Sequence, residues 1–405
     1  MTPRLYFDDP FLSAFDARVV AHGSFAGWTS VVLDRTGLYP EAGGQMADRG
    51  SMRFGETEAA VVDVQVDDNG VVHHRLDHSP GALPAPGVAV SARVDARRRR
   101  VHMALHTGQH MLSRALLDEA AAPTVSARLG ETACTIDLDV AALDERAASR
   151  AEALVNDVID DDRIIRAFFP APEELAGLAL RRAPKVERDV RVVDIEGFDV
   201  SPCGGTHATR TSQVALVKIT SVERYKGRVR LGFVAGARAR AELGRAHDAL
   251  AALARDMTCG PAGVPGAIGK LRAELSSARD AARGYGTDLA RFLAAELVRG
   301  AAARGENCVV ATLSLAGMEP LRAAGAAIVT DLRGAALLAA PTTDGLAVLV
   351  TRHPSSPVDC GKILRAIASA GGGRGGGKPE HAEGRLPAGA DFVALATAAL
   401  TAPPA

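Results

Sequence analysis

Two short segments about ninety residues apart constrain this chain most: His106-Thr107-Gly108-Gln109-His110 and Cys203-Gly204-Gly205-Thr206-His207. On a helix the two histidines of the first segment lie at i and i+4 on one face, so both imidazoles can reach one ion. The double glycine of the second segment disfavours a regular helix and lets a thiolate and a third imidazole turn toward the same point. Three histidines and one cysteine suit tetrahedral zinc. The sequence therefore predicts one Zn2+ ion, with four ligands: His106, His110, Cys203 and His207.

The number of ligands leaves the role of the metal open. Four protein ligands are typical of a closed structural zinc site, whereas three ligands and an open position would favour a catalytic one. No Ser-His-Asp arrangement is evident in the sequence, so we predict no covalent nucleophile.

Length and composition limit the number of domains, the location and the partners that we expect. A chain of 405 residues is too long for one ordinary core and suggests two or three domains. With 47% apolar residues and a net charge of −1, we expect a folded protein in the cytoplasm without a membrane span. The five cysteines are scattered and odd in number, which favours reduced thiols over a disulfide framework. A net charge near zero means that any RNA contact must come from local clusters.

The pattern of apolar residues predicts an α+β protein with four parts. Short alternating or continuous apolar runs broken by Gly, Asp and Asn indicate strands of a small barrel, and Ala- and Leu-rich segments with helical spacing indicate long helices. Leucines of these helices, such as Leu271 and Leu289, form a seam that packs either within the chain or across a homodimer. The predicted parts are a β-barrel at 1–90, an α+β core with the zinc site at 91–236, a helical linker at 237–304 and an α/β module at 305–405. We expect the last part to bind tRNA or to form a homodimer, for which the helical linker is the alternative interface.

A string of glycines near the end of the chain, residues 371–377, is followed by Lys378 and Pro379. It does not match the phosphate-binding pattern G-x-x-x-x-G-K-[ST], because Pro379 stands where Ser or Thr is required. From composition alone the string is either a flexible linker or a set of backbone amides with two cations, open to a phosphate backbone. On the second interpretation the tRNA-binding residues are Gly372, Gly373, Arg374, Gly375, Gly376 and Lys378.

Several of these motifs together resemble the editing domain of alanyl-tRNA synthetase. The segment from Thr36 to Gly50, TGLYPEAGGQMADRG, looks like the glycine-rich motif of that domain, and Val94-Asp95 with Arg97-Arg98, HTGQH and CGGTH follow in the family's order. The glycine string with Lys378 is similar to the family's C-terminal module, which also occurs in DHH phosphoesterases. Because the barrel begins within the first residues, the chain resembles the free-standing, long type of alanyl-tRNA editing protein, without room for amino-acid activation.

The resemblance implies hydrolysis of serine, and also glycine, from mischarged alanine tRNA by a zinc-containing aminoacyl-tRNA hydrolase. A site built to hydrogen-bond a hydroxyl leaves polar groups unpaired when alanine enters, at about 1–3 kcal/mol per buried group. Thr36 is the candidate hydroxyl partner and Gln45 the candidate to orient the same substrate. Without the family, Thr36 could simply open a turn before Gly37. Asp199 is either an outer partner of a zinc ligand, an adenosine contact or a surface turn residue.

Two other functions compete with this one. A DHH-type phosphoesterase would need an Asp-His-His triplet, which the chain lacks, and an acid-rich metal site. A catalytically inactive, zinc-containing tRNA-binding protein would tolerate damage in the pocket, yet Thr36, Gln45 and all four predicted ligands are present.

Overall fold

The structure is a computed structural model that describes residues 2–77, 83–184, 186–315 and 317–401. The fold mixes helices and strands in two compact units, Met1–Ala251 and Ala252–Ala405. Among the described residues, no helix is both long enough and apolar enough to cross a membrane.

A closed six-stranded barrel begins the first unit, as the apolar alternation predicts. Around the barrel the strands run in the order β1-β2-β5-β4-β3-β6, all paired antiparallel. Alternate residues such as Val19, Val31 and Val61 point inward and form its core, while their neighbours face solvent. The strands are β1 (Ala14–Phe25), β2 (Trp28–Leu33), β3 (Gly50–Phe54), β4 (Thr57–Val66), β5 (Val72–Asp77) and β6 (Ala89–Val94).

The two histidines of the first segment lie on a helix after the barrel, α1 (Ala96–Ala120). It starts at Asp95, whose carboxylate accepts the backbone N–H of Arg98 at 2.9 Å, a standard N-cap. Leu105 and Leu112 of α1 pack into a core shared with two sheets. The helix is buried around His106 and His110, so both side chains lie inside the protein.

Two sheets and two further helices complete the layer around α1. One sheet has the strand order β12-β13-β8-β7 and the other β11-β10-β9. These elements are β7 (Thr124–Leu129), β8 (Cys134–Leu138), α2 (Glu145–Asp160), β9 (Ile165–Phe168), α3 (Pro172–Gly177), β10 (Val192–Ile195), β11 (Asp199–Pro202), β12 (Val217–Tyr225) and β13 (Arg228–Ala235).

Two long helices follow, α4 (Gly236–Asp256) and α5 (Val264–Ala303), separated by a short loop. The second unit then forms a five-stranded sheet in the order β14-β15-β16-β18-β17, with β14 parallel to β15 and the other pairs antiparallel. Its elements are β14 (Cys308–Thr312), α6 (Met318–Leu332), β15 (Ala335–Thr342), β16 (Gly345–Arg352), α7 (Cys360–Ala370), β17 (Arg374–Lys378), β18 (His381–Leu386) and α8 (Phe392–Thr401).

The glycine string forms most of the edge strand β17, so the flexible-linker interpretation is wrong. A Cβ at Gly375 would lie 2.9 Å from the Leu364 side chain of α7, so the absence of a side chain lets the helix pack closely on the strand. Gly376 points to the other face, where a Cβ would meet nothing within 4 Å. Arg374 and Lys378 alternate with Gly375 and Gly377 and share the open face with Gly376.

Candidate metal centre and adjoining cavity

Helix α1 and the segment after β11 bring the four predicted ligands into one cluster, whose donor atoms all lie within 4.8 Å of one another. The Cys203 Sγ is 3.4 Å from His106 Nε2 and 3.3 Å from His207 Nε2. A tetrahedral zinc ion with ordinary bond lengths requires sulfur and nitrogen ligands about 3.6 Å apart. The cluster therefore fits zinc in both donor chemistry and size.

The Nδ1 atoms of the three histidines each lie near a different polar side chain. A histidine that binds metal through Nε2 carries its proton on Nδ1, and an acceptor there fixes both the tautomer and the ring plane. Hydrogen-bonded partners of this kind are present for two imidazoles: His106 Nδ1 with Gln45 Oε1 at 2.7 Å and His207 Nδ1 with Thr107 Oγ1 at 3.2 Å. His110 Nδ1 has no hydrogen-bond partner among the described residues, but the Asp199 carboxylate lies 3.6 Å from it, at ion-pair distance.

Asp199 is buried on β11, so it is not a surface turn residue. Its carboxylate accepts from Arg181 Nε at 2.7 Å and from Ser201 Oγ at 2.9 Å. Burial raises the pKa of Asp199, but His110 and Arg181 outweigh it and bring the pKa to about 2. The group is thus a charged acceptor at neutral pH, suited to orient His110.

The electrostatics of the cluster favour a thiolate. Burial raises the pKa of the Cys203 thiol, but the imidazoles of His106, His207 and His110 lower it to well below its usual range. Burial, followed by His106, lowers the pKa of His207 to about 3. A deprotonated thiol beside a neutral imidazole is the state in which both groups bind a metal.

Gly205 lets the second segment approach α1. A Cβ at this position would overlap the imidazole ring of His106, whereas a Cβ at Gly204 would meet nothing within 4 Å. Arg191 holds the same segment from the other side, because its Nη1 donates to the carbonyl oxygens of Cys203 at 3.1 Å and Gly205 at 2.8 Å. Glycine is thus required at 205 by close packing and not by an unusual backbone angle.

These two glycines provide a matched pair of variants. We expect Gly205→Ala to lower zinc retention by at least about tenfold, since His106 must move to make room. We expect Gly204→Ala to retain zinc as the wild type does. Both would be measured by competition with a chromophoric chelator, and equal retention in the two variants would contradict the packing argument.

A cavity of about 1100 Å³ adjoins the cluster, and His106 and Cys203 form part of its wall. Five arginines and four aromatic residues also line it: Arg4, Arg181, Arg182, Arg188, Arg191, Tyr6, Phe7, Tyr39 and Phe169. The volume is larger than an amino acid requires and suits a ligand of nucleotide size. The guanidinium groups favour an anionic ligand, and the aromatic rings offer faces for stacking.

Tyr6 lines this cavity and has a hydroxyl group that can donate a hydrogen bond to a ligand. The hydroxyl of this buried residue has no hydrogen-bond partner among the described residues. Burial raises the pKa of Tyr6 to about 12, so the hydroxyl stays protonated at neutral pH. A buried hydroxyl without a hydrogen-bond partner on a cavity wall favours a ligand that accepts a hydrogen bond from it.

Thr36 and Gln45 lie beside the site, and their polar groups are already engaged with protein. The Nδ1 of His74 lies 3.0 Å from the carbonyl oxygen of Val31, so its Nε2 accepts from the Thr36 hydroxyl at 2.8 Å. The Oε1 of Gln45 accepts hydrogen bonds from His106 Nδ1 and from the backbone N–H of Thr206. The Nε2 of Gln45 donates to Thr206 Oγ1 at 2.8 Å. Neither residue is among those that line the cavity. Their predicted substrate contacts stay predictions.

The barrel contains a Ser-His-Asp arrangement that the sequence did not reveal. Ser30 Oγ lies 2.8 Å from His73 Nδ1, and His73 Nε2 lies 3.5 Å from Asp67 Oδ2. Ser30 is fully buried and does not line the cavity. It therefore presents no nucleophile to a ligand there.

Other contributors to the site also escape detection from sequence. Thr107, Arg181 and Arg191 contact the ligands or their partners, yet each looks like an ordinary helix or loop residue in the sequence. The only available signal is that Thr107 lies between the two histidines of the first motif. Which side chains turn toward the cluster depends on the packing of distant segments.

Comparisons with known proteins agree with this architecture. Residues 190–231 match the family model described as "Threonyl and Alanyl tRNA synthetase second additional domain". Residues 16–98, the barrel, match the model described as "tRNA synthetases class II (A)".

Individual relatives cover more of the chain. It is 32% identical to the alanine–tRNA ligase of Ignicoccus hospitalis over 390 residues, 94% of this chain and 41% of the ligase. It is 34% identical to the alanyl-tRNA editing protein AlaX-L of Pyrococcus horikoshii over 242 residues, 59% of each protein. The chain thus spans less than two thirds of the length of these relatives. It is a relative of the alanyl-tRNA editing proteins, and of the alanine–tRNA ligases over the part of their length that it matches.

Proposed function

We propose that this protein is a hydrolase that removes a wrongly attached amino acid, serine and also glycine, from alanine tRNA in the cytoplasm. The observation that carries the proposal is the His/Cys cluster in the wall of a nucleotide-sized cavity lined by arginines and aromatic rings. An aminoacylated RNA end offers phosphates for the arginines, bases for the rings and an ester to bring to the cluster.

In this proposal each group of residues has a separate role in metal binding, ligand orientation or substrate binding. His106, His110, Cys203 and His207 would hold Zn2+, which when bound supplies positive charge to polarise an ester or a water molecule and to fix the pocket. Gln45, Thr107 and Asp199 orient the three imidazoles. The Tyr6 hydroxyl would donate a hydrogen bond to the substrate.

The direct test is deacylation of alanine tRNA charged with serine, glycine or alanine. We expect the purified protein to hydrolyse the seryl and glycyl esters faster than the alanyl ester. Incubation with free alanine, ATP and uncharged tRNA should form no ester, because we propose hydrolysis without amino-acid activation. Binding of all three charged tRNAs without acceleration of hydrolysis would indicate an inactive tRNA-binding protein instead.

Thr36 tests how serine is recognised. The Thr36 hydroxyl, besides donating to His74, accepts the N–H of Leu38 at 3.0 Å, next to cavity-lining Tyr39. We propose that Thr36 positions this loop for the serine hydroxyl, so Thr36→Val should slow seryl-tRNA hydrolysis more than glycyl-tRNA hydrolysis. Separate kcat and KM values on the two substrates measure the effect. Equal losses on both would show that the residue only supports the fold.

The open face of the edge strand β17 provides the proposed contact with the tRNA backbone. Arg374 and Lys378 lie on this face with Arg385 of β18, and all three lack an ion-pair partner among the residues that the structure describes. Gly376 lies between the two cations of β17 and leaves the strand backbone accessible. The segment Gly372–Gly376 with Lys378 can then approach phosphates closely.

Removal of the two cations of β17 should weaken tRNA binding and flatten its salt dependence. Each lost phosphate contact lowers the slope of log affinity against log salt by about 0.7–0.9. The matched control is Lys362→Ala with Arg365→Ala, which removes two exposed cations of α7 from the same unit. Unchanged affinity of the Arg374→Ala/Lys378→Ala variant across salt concentrations would refute the contact.

A further inference from the structure

The five arginines that line the cavity differ in how their charge is balanced. Arg181 is paired with the Asp199 carboxylate, with 2.7 Å between Nε and Oδ1. Arg182 and Arg188 are exposed, so water stabilises their charge. By contrast, Arg191 is only 6% exposed and has no ion-pair partner among the described residues. Since buried charges in proteins are normally paired, a ligand is the expected source of the missing anion.

The guanidinium group of Arg191 also has a donor that no protein atom accepts. Its Nη1 holds the carbonyl oxygens of Cys203 and Gly205, whereas its Nε has no hydrogen-bond partner among the described residues. Burial lowers the pKa of Arg191, and attraction by the Cys203 thiolate offsets that effect only in part. Asp189, the carboxylate on the described cavity wall, is exposed and forms no ion pair with Arg191. The carbonyl oxygens therefore fix the side chain in place without neutralising it.

Two neighbouring side chains have unpaired donors as well. The Nε of Arg4 and the hydroxyl of Tyr6 are buried atoms without a hydrogen-bond partner among the described residues. Both side chains and Arg191 surround the ring of Phe7, whose centroid lies 5.7 Å from the Arg4 Cζ, 4.8 Å from the Arg191 Cζ and 4.9 Å from the Tyr6 ring centroid. All four residues line the cavity. Three donor groups that lack acceptors are thus grouped in one part of its wall.

We propose that Arg4, Tyr6 and Arg191 form an anion subsite that binds the phosphodiester on the 5′ side of the terminal adenosine of the tRNA. A phosphate supplies the negative charge and the several acceptor oxygens that two guanidinium groups and a hydroxyl require. Arg191 contacts the segment that carries Cys203, and only one ribose separates the ester of a terminal nucleotide from its 5′ phosphate. A phosphate held here would therefore place the ester beside the cluster. The identity of the RNA follows from the proposed function, whereas the need for an anion follows from the unpaired donors alone.

Three small probes of the full-length, zinc-loaded protein test the subsite: adenosine, the dinucleoside phosphate CpA and inorganic phosphate. We expect CpA to bind at least about tenfold more tightly than adenosine, because its phosphodiester accepts charge-assisted hydrogen bonds. Equal affinities for adenosine and CpA would overturn the subsite. Competition by inorganic phosphate as strong as that by CpA would assign the site to free phosphate and overturn its assignment to RNA.

Substitution of single donors tests which side chains hold the phosphate. Tyr6→Phe removes only the unpaired hydroxyl and should lower the ratio of CpA affinity to adenosine affinity roughly fivefold. The matched control is Tyr39→Phe, which should keep the wild-type ratio because the Tyr39 hydroxyl already donates to the carbonyl oxygen of Ala42 at 3.0 Å. An equal fall of the ratio in both variants would contradict the role of Tyr6.

Arg4 provides a second test that does not depend on the tyrosine. Arg4→Gln should lower the affinity for CpA roughly tenfold and reduce the slope of log affinity against log salt by about 0.7. Arg4→Lys keeps the charge and should restore most of that slope. An unchanged slope in Arg4→Gln would exclude Arg4 from the subsite.

Hydrolysis of seryl-tRNA separates the subsite from the proposed function. Rapid hydrolysis by a protein that binds CpA and adenosine equally would refute the subsite and leave the proposed function standing. Tight, Tyr6-dependent binding of CpA by a protein that hydrolyses none of the charged tRNAs would support the subsite and refute the hydrolase.

Discussion

The Cys203→Ala variant should lose stable zinc binding and, with it, ester hydrolysis. The substitution removes the sulfur ligand that lies 3.4 Å from His106 Nε2 and 3.3 Å from His207 Nε2. Loss of an outer partner of a ligand costs roughly 10–100-fold in metal affinity, and we expect loss of a ligand itself to cost more. Elemental analysis of protein purified without chelator gives the stoichiometry, which should be one zinc per chain in the wild type.

Cys259→Ala is the matched control, since Cys259 lies in the loop between α4 and α5 and is outside the cluster. It should keep the wild-type zinc content. Wild-type content in the Cys203 variant as well would show that Cys203 is not a ligand. Absence of zinc from the wild type would reject the metal centre altogether.

A comparably large effect on folding is expected for Arg99→Met. The Arg99 guanidinium is almost fully buried, binds both carboxylate oxygens of Asp48 and donates to the carbonyl oxygens of Gly37 at 2.7 Å and Pro10 at 2.9 Å. Asp48 in turn accepts the N–H of Tyr39 at 2.7 Å. Removing the arginine leaves a buried carboxylate without its cation, which typically costs about 3–5 kcal/mol of unfolding free energy.

Urea unfolding of Arg99→Met and of Arg100→Met would measure this cost. Arg100 is exposed one residue further along α1, so its loss should change the unfolding free energy by less than about 0.5 kcal/mol. The double variant Arg99→Met/Asp48→Leu removes both charges and should recover part of the loss. Similar unfolding free energies for the two single variants would contradict a special role for Arg99.

The run of four consecutive arginines, Arg97 to Arg100, illustrates which features a sequence predicts and which it does not. The helix that carries them and the two histidines was predictable, because the N-cap, the apolar period and the i, i+4 spacing are local features. Only the structure shows that Arg97 and Arg100 face solvent, that Arg98 binds Glu131 and that Arg99 is the buried cation. Burial of one member of a charged run depends on a carboxylate fifty-one residues away in the chain.

The glycine string shows a second difficulty, because a segment without side chains lacks the local pattern from which a strand is predicted. A strand is recognised from its side chains, which alternate between two environments. Arg374 to Lys378 offers three glycines between two cations, so its pattern is also that of a linker. The strand forms because β18 supplies the hydrogen bonds and α7 packs against the bare backbone at Gly375. Both causes lie outside the segment.

The way in which the imidazoles are held also couples metal loading to folding. Gln45 belongs to the barrel's glycine-rich loop, Thr107 to α1 and Asp199 to β11, so the geometry that zinc requires exists only after all three have docked. The metal site therefore requires all three elements to be docked, and binding energy gained there stabilises the docked state as a whole. In calorimetry, the zinc-loaded barrel and the layer around α1 should melt in a single transition. Chelation should lower the midpoint of that transition.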